Sequence, residues 1–188
     1  MSTTRGFQEI IEGFVYDYPV CEFFYLTPGD LVFSQRVRAI CETECGRYGK
    51  CWACPPAVES VEACIERCRR YPHVFLFSTV HSVSDSLNMA SCVAAKNAHE
   101  EVTLALRERF RQAFGDVLAL STGCALCETC AYPETPCRHP DRRLSTIESH
   151  GILLPATLDK VGACHTCTSD TVVYFSLIFF DGNSRPPQ

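Results

Sequence analysis

The sequence predicts a single α/β (or α+β) domain, a mixed sheet with flanking helices and two cysteine-rich loops. Three observations lead there. The chain has 188 residues, the length of one ordinary domain, and its 46% apolar and 21% charged content is that of a chain that folds. Strand-like apolar runs are separated by segments with helical periodicity. Of the 14 cysteines, most fall in two short stretches, near residues 41–54 and 124–137. The expected domain covers residues 1–182, with a flexible tail at 183–188.

Cys21 to Phe33 is aromatic and β-branched around Pro28-Gly29-Asp30, which predicts a hairpin. Ser60 to Tyr71 predicts a helix with Ser60 as N-cap, Glu62 in its first turn and Pro72 beyond its end. Val61, Cys64, Ile65 and Cys68 form its apolar stripe. His73 to Val80 is strand-like. Asp85 to Phe114 predicts the longest helix, with Ala90, Ala94, Ala98, Val102, Leu106, Phe110 and Phe114 on one buried face and Gly115 as its stop. Glu100 and Glu101, with Arg107 and Arg109 beyond, are expected on its solvated face. Val117 to Ser121 is a short strand leading towards Cys124. Leu144 to His150 and Ile152 to Val161 suggest short helices, and 172–180 a buried strand.

Lys and Arg number 17 against 22 Asp and Glu, a formal charge of −5 that gives no reason to expect a nucleic-acid partner. No window reaches the roughly 18 apolar residues of a membrane span, and the first residues lack a secretory pattern. The expected location is the cytoplasm, where thiols stay reduced and clustered cysteines serve as metal ligands more readily than as disulfides.

The sharper of the two motifs is GCALCETCAYPETPCRHP, Gly123 to Pro140. Cys124, Cys127 and Cys130 follow C-x2-C-x2-C spacing, each step turning the next thiolate towards one inorganic core, and Cys137 follows with Pro140 close behind. Four soft thiolates suit a [4Fe–4S] cluster. Zinc is the alternative, although structural zinc more often takes two separated knuckles than a triplet. The other motif, VRAICETECGRYGKCWACPPAV, Val37 to Val58, offers Cys41, Cys45, Cys51 and Cys54 at C-x3-C-x5-C-x2-C spacing. Its glycines permit tight turns and Pro55-Pro56 stiffen its exit. It reads as a cluster loop or as a pair of zinc knuckles. Tyr48 stands where the C-x3-C-x2-C pattern of radical S-adenosylmethionine enzymes needs its third cysteine, so that chemistry is disfavoured.

These two stretches, with STIESHGI (Ser145 to Ile152) and the final YFSLIFF strand, resemble the prokaryotic "predicted metal-binding protein" family, domain of unknown function 2284. The resemblance runs from about Val37 to Phe180. It implies metal or iron–sulfur binding with no settled reaction, and it implicates Cys41, Cys45 and Cys54 in the first motif and Cys124, Cys127, Cys130 and Cys137 in the second. Relatives often carry a small polar residue where this chain has Cys51. Cys51 is therefore either a local fourth ligand or a bystander, and Cys64 is the alternative to it, unless Cys64 simply fills its helix stripe.

The expected function is a cytoplasmic iron–sulfur protein with two cysteine-ligated sites, both [4Fe–4S], acting in electron transfer or in redox chemistry at an open cluster. Its partner would be a redox protein or a small-molecule substrate. The alternative is a non-catalytic zinc module with a structural or metal-carrying role. Cys164 and Cys167 form a C-x2-C pair that reads as two free thiols, as a redox dithiol or as half a metal site. Cys21 and Cys68 are expected in the core and Cys92 on a polar helix face. Arg36, Arg38, Arg47 and Arg138 would either offset cluster charge or serve as surface charge. His139 would tune a cluster or lie exposed, and Tyr48 and Trp52 would shield the first site or fill a core edge.

Overall fold

A computed structural model describes residues 6–166 and 168–183. Among the described residues, five strands build one mixed sheet: β1 (Phe23–Leu26), β2 (His73–Ser82), β3 (Val117–Ser121), β4 (Ser145–Thr146) and β5 (Thr171–Phe180). Their order is β1-β2-β5-β3-β4, with every neighbouring pair antiparallel except β3 and β4, which run parallel. The long central strands β2 and β5 pair along their whole length, from His73 opposite Phe180 to Ser82 opposite Thr171. The helices are α1 (Phe7–Val15), α2 (Arg36–Thr43), α3 (Val61–Arg69), α4 (Met89–Phe114) and α5 (Leu154–Val161).

Both faces of the sheet are covered, which is why β2 and β5 are almost continuously apolar where a half-solvated strand would alternate. Phe75, Phe77, Ile178 and Phe180 point to one face and pack with Ile11 and Phe14 of α1 and Leu106, Phe110 and Phe114 of α4. Val74, Leu76, Leu177 and Phe179 point to the other and pack with Cys68 of α3 and Leu158 of α5. The α/β class is as expected, and so are α3 with its Ser60 cap accepting from Ala63 N, β2, β3, β5 and the stop at Gly115, whose φ of 93° suits glycine.

Local structure departs from expectation in four places. The 21–33 hairpin is absent. Pro28–Asp30 forms a 3-10 turn closed by reciprocal Thr27 and Asp30 bonds, and β1 pairs instead with β2. Residues 144–150 are not a helix, because Ser145 and Thr146 pair with Leu120 and Ser121; only Glu148–His150 winds, as 3-10. The long helix begins at Met89, capped by the Asn88 side chain. Its apolar stripe is buried only from Leu106 onward, while Ala90, Ala94 and Ala98 are exposed. A four-residue repeat advances about 40° per step on a helix of about 3.6 residues per turn, so the stripe winds off the sheet. The same drift turns Glu100 and Arg107 inward, both buried rather than solvated.

Cys68 is buried, as expected; Cys21 precedes β1 and is exposed, and Cys92 is half-buried with its thiol donating to Ser86 O at 3.3 Å. Cys167 and residues 184–188 lie outside the described residues. Among the described residues no helix is long and apolar enough to cross a membrane.

Candidate metal centre

The second cysteine loop leaves the sheet at the end of β3. Gly123, at φ 112°, turns the chain where a Cβ would press to 3.0 Å from Thr146 Cγ2, and its carbonyl accepts from Lys96 Nζ at 2.9 Å. Cys124, Cys127, Cys130 and Cys137 follow, all half-buried. All four line one cavity of about 800 Å³. Arg138 braces the loop by donating to Thr129 O at 3.0 Å, and burial pushes the Cys124 thiol up.

The first loop begins in the last turn of α2, which carries Cys41 half-buried; Cys45 is exposed just beyond it. Burial, then the neighbouring Cys45, pushes the Cys41 thiol up. The chain turns at Gly49 (φ 66°), whose N–H donates to Pro55 O at 2.9 Å, and this fold-back buries Cys51 and Cys54. The Cys54 thiol donates to Cys51, lowering the Cys51 pKa and raising its own; Ala53 N and Arg47 also favour the Cys51 thiolate. The two sulfurs thus share one hydrogen bond in the field of a guanidinium.

The structure also brings the two loops together. Cys51, Ala53 and Cys54 form a small buried cluster against which Cys124 and Cys130 pack. Arg47 spans the seam, its Nη2 donating to Cys124 O at 2.9 Å and reaching Cys51 Sγ at 3.6 Å. Trp52 Nε1 donates across the seam to Thr135 O at 3.0 Å, and its ring meets Tyr132 edge-on at 4.9 Å. Cys51 lines the same cavity as the second loop's four cysteines. Cys64 sits elsewhere, fully buried on α3 with Arg38 and Cys68 as neighbours and its thiol facing Glu59 O.

Arg47, Lys50, Lys96, Arg138 and Arg143 line the cavity against a single acid, Glu128. That surplus of cations suits a thiolate-bound cluster, whose net charge is negative. Arg38 instead ties structure together by donating to Glu59 O and Ser149 O, while Arg36 is exposed. His139 lines the cavity wall and is exposed. Lys96, Met89 and Val93 reach the cavity from α4, and no sequence signal linked that distant helix to the cysteines. Among the described residues, no three or more His, Cys, Asp and Glu side chains are gathered as around a single ion.

Fold and loops thus define a cysteine-rich α/β protein with two thiol loops meeting beside β3. The chain belongs to the family described as Predicted metal-binding protein (DUF2284), whose model matches residues 25–180. This bears out the resemblance read from the two motifs and supports metal binding. No curated protein and no solved structure matches the chain.

Proposed function

We propose that this is an iron–sulfur protein holding two [4Fe–4S] clusters, one on each cysteine loop. The observation that carries the reading is the single cavity lined by Cys124, Cys127, Cys130 and Cys137 beneath a cationic wall. Four thiols, with Glu128 the one carboxylate on the same wall, form the soft donor set that a cubane takes. Cys41, Cys45 and Cys54 would hold the second cluster, leaving Cys51 at the seam and one iron without a protein thiolate. The groups would supply one-electron chemistry, and Lewis acidity at an iron left open. The chain's own part is to exclude water with Trp52 and Tyr132, to hold the loops in register with Arg47, and to offset negative charge with Lys50, Lys96, Arg138 and Arg143. The partner would be a redox protein in the cytoplasm or a small molecule bound at the open iron.

Cys51 and Cys54, with Ala53 N donating to Cys51 Sγ at 3.5 Å, also form a knuckle that zinc accepts, which favours a zinc module as the second reading. Anaerobic purification separates the two. Brown protein with iron and acid-labile sulfide in near-equal amounts supports the clusters, and colourless zinc protein overturns them. The open iron is tested by Cys51→Ser and Cys64→Ser, alone and together. The first loop's spectrum should survive each; loss in either single variant would close that iron.

A further inference from the structure

Beside the cysteine loops, the core carries a line of polar side chains that metal ligation does not use. His99, on α4, is fully buried, with Nδ1 2.7 Å from Thr79 Oγ1 and Nε2 2.8 Å from Ser176 Oγ. Ser176 Oγ donates to Ser121 Oγ at 2.7 Å, and Ser121 Oγ donates to Glu100 Oε1 at 2.6 Å. Thr122 donates to the same oxygen from its N–H at 3.0 Å and its hydroxyl at 2.6 Å. At the other end Thr79 Oγ1 lies 2.8 Å from Nε2 of His81, which is half-buried at the outer end of β2. Thr103 supports the middle, 2.8 Å from Ser176 Oγ and donating to His99 O.

Such a row is costly in an interior where alanine or valine would need no partner, and it is tolerated because each member is satisfied. Its two ends differ. His81 reaches the surface. Glu100 lines a cavity of about 340 Å³ together with Cys124, Ala125 and Leu126. Those three residues also line the cysteine cavity. Every bond around Glu100 falls on Oε1, and among the described residues none uses Oε2.

We propose that His81, Thr79, His99, Ser176 and Ser121 form a proton wire from the surface to Glu100, which supplies protons to the cysteine-lined cavity. The inference rests on the iron–sulfur reading for what consumes the proton. The transfer balances along the row. A proton from water joins His81 Nδ1, and the proton on Nε2 passes to Thr79 Oγ1. The Thr79 hydroxyl proton passes to His99 Nδ1, and His99 gives its Nε2 proton to Ser176. Ser176 passes a proton to Ser121, and Ser121 passes one to the Glu100 carboxylate. No electron moves, and one proton from solvent has become a carboxyl proton at the cavity. Rotation of the three hydroxyls and exchange of the His81 and His99 tautomers reset the row. Burial lowers the His99 pKa to about 3, so the ring works as a neutral exchanger of tautomers and stores no charge. The charged and titratable groups facing the row are His81, Lys96 and the Tyr174 ring of β5 beside His99, and Lys96, Glu101 and Arg142 around Glu100.

The test is proton uptake, followed with an indicator dye during anaerobic photoreduction of the iron-loaded protein. Wild type should take up protons in step with reduction. Ser176→Ala should slow uptake roughly 100-fold, the scale of a lost proton carrier, with iron and sulfide content unchanged. Ser121→Ala breaks the next link and serves if the first variant fails to fold. Glu100→Gln should abolish uptake. Wild-type reduction without uptake, or wild-type rates in both serine variants, overturns the wire. Metal and sulfide analysis before reduction shows separately whether the iron–sulfur reading fails. The wire is then decided without metal by ¹⁵N spectroscopy of His99. A neutral ring with its resting proton on Nε2 supports it, and a ring fixed with the proton on Nδ1 or doubly protonated at neutral pH overturns it.

Discussion

The second cysteine loop keeps all four thiols half-buried around one cavity, whereas the first ranges from buried Cys51 and Cys54 through half-buried Cys41 to exposed Cys45. The difference follows from spacing. Cys124, Cys127 and Cys130 are each separated by two residues in one short loop that Cys137 rejoins at the cavity, whereas the first loop's cysteines are divided between a helix end at Cys41 and the far side of a glycine turn at Gly49. The two loops therefore meet at a shared seam, joined by Arg47 and Cys51.

The harshest way to break the comparison is to empty one loop. If each loop holds a cubane as proposed, Cys130→Ala should remove about half of the iron; metal analysis reads this directly. Loss of all iron would show that the loops make one site. Next in size is the response of the framework to acid. Burial lowers the pKa of His99 to about 3 and of His150 to about 4, from 6.5. Between those values the unfolded chain binds more protons than the folded one, so stability falls as pH drops below 6.5. At pH 5 each histidine should cost about 2 kcal/mol, read from urea midpoints at pH 7 and pH 5. A flat profile would place the acid-sensitive groups in the loops instead. Smaller again is Arg47→Ala, which opens the seam and should speed iron loss to a chelator roughly tenfold. Iron loss at the wild-type rate would make the loops independent. Least of all, Cys21→Ser, at an exposed position, should shift stability by no more than about 0.5 kcal/mol in the same urea assay.

Much of the frame was legible in the chain. Ser60 capping α3, the unbroken apolar run of β5 and the stop at Gly115 are local signals, and the structure keeps them. The turn at Pro28 was visible, but not that Thr27 and Asp30 would close it as 3-10 while β1 found β2. Residues 144–150 were misread because pairing with β3 outweighs their helical pattern. The metal motifs were legible as spacing. Their meeting was not, because Arg47 and Cys124 lie far apart in sequence and nothing local announces the bond between them. Glu100 was misplaced on a solvated face by the helical drift. Ser121 and Ser176, isolated polar residues in apolar strands, were the available hint of the buried row it joins.

Mössbauer spectroscopy of ⁵⁷Fe-loaded, anaerobically purified protein tests the central claim most directly. The account predicts the signature of two four-iron, four-sulfide clusters, with one iron of the first loop's cluster distinct from its neighbours for want of a thiolate. A signature of isolated tetrathiolate iron, or protein that takes up zinc and no iron, would contradict it.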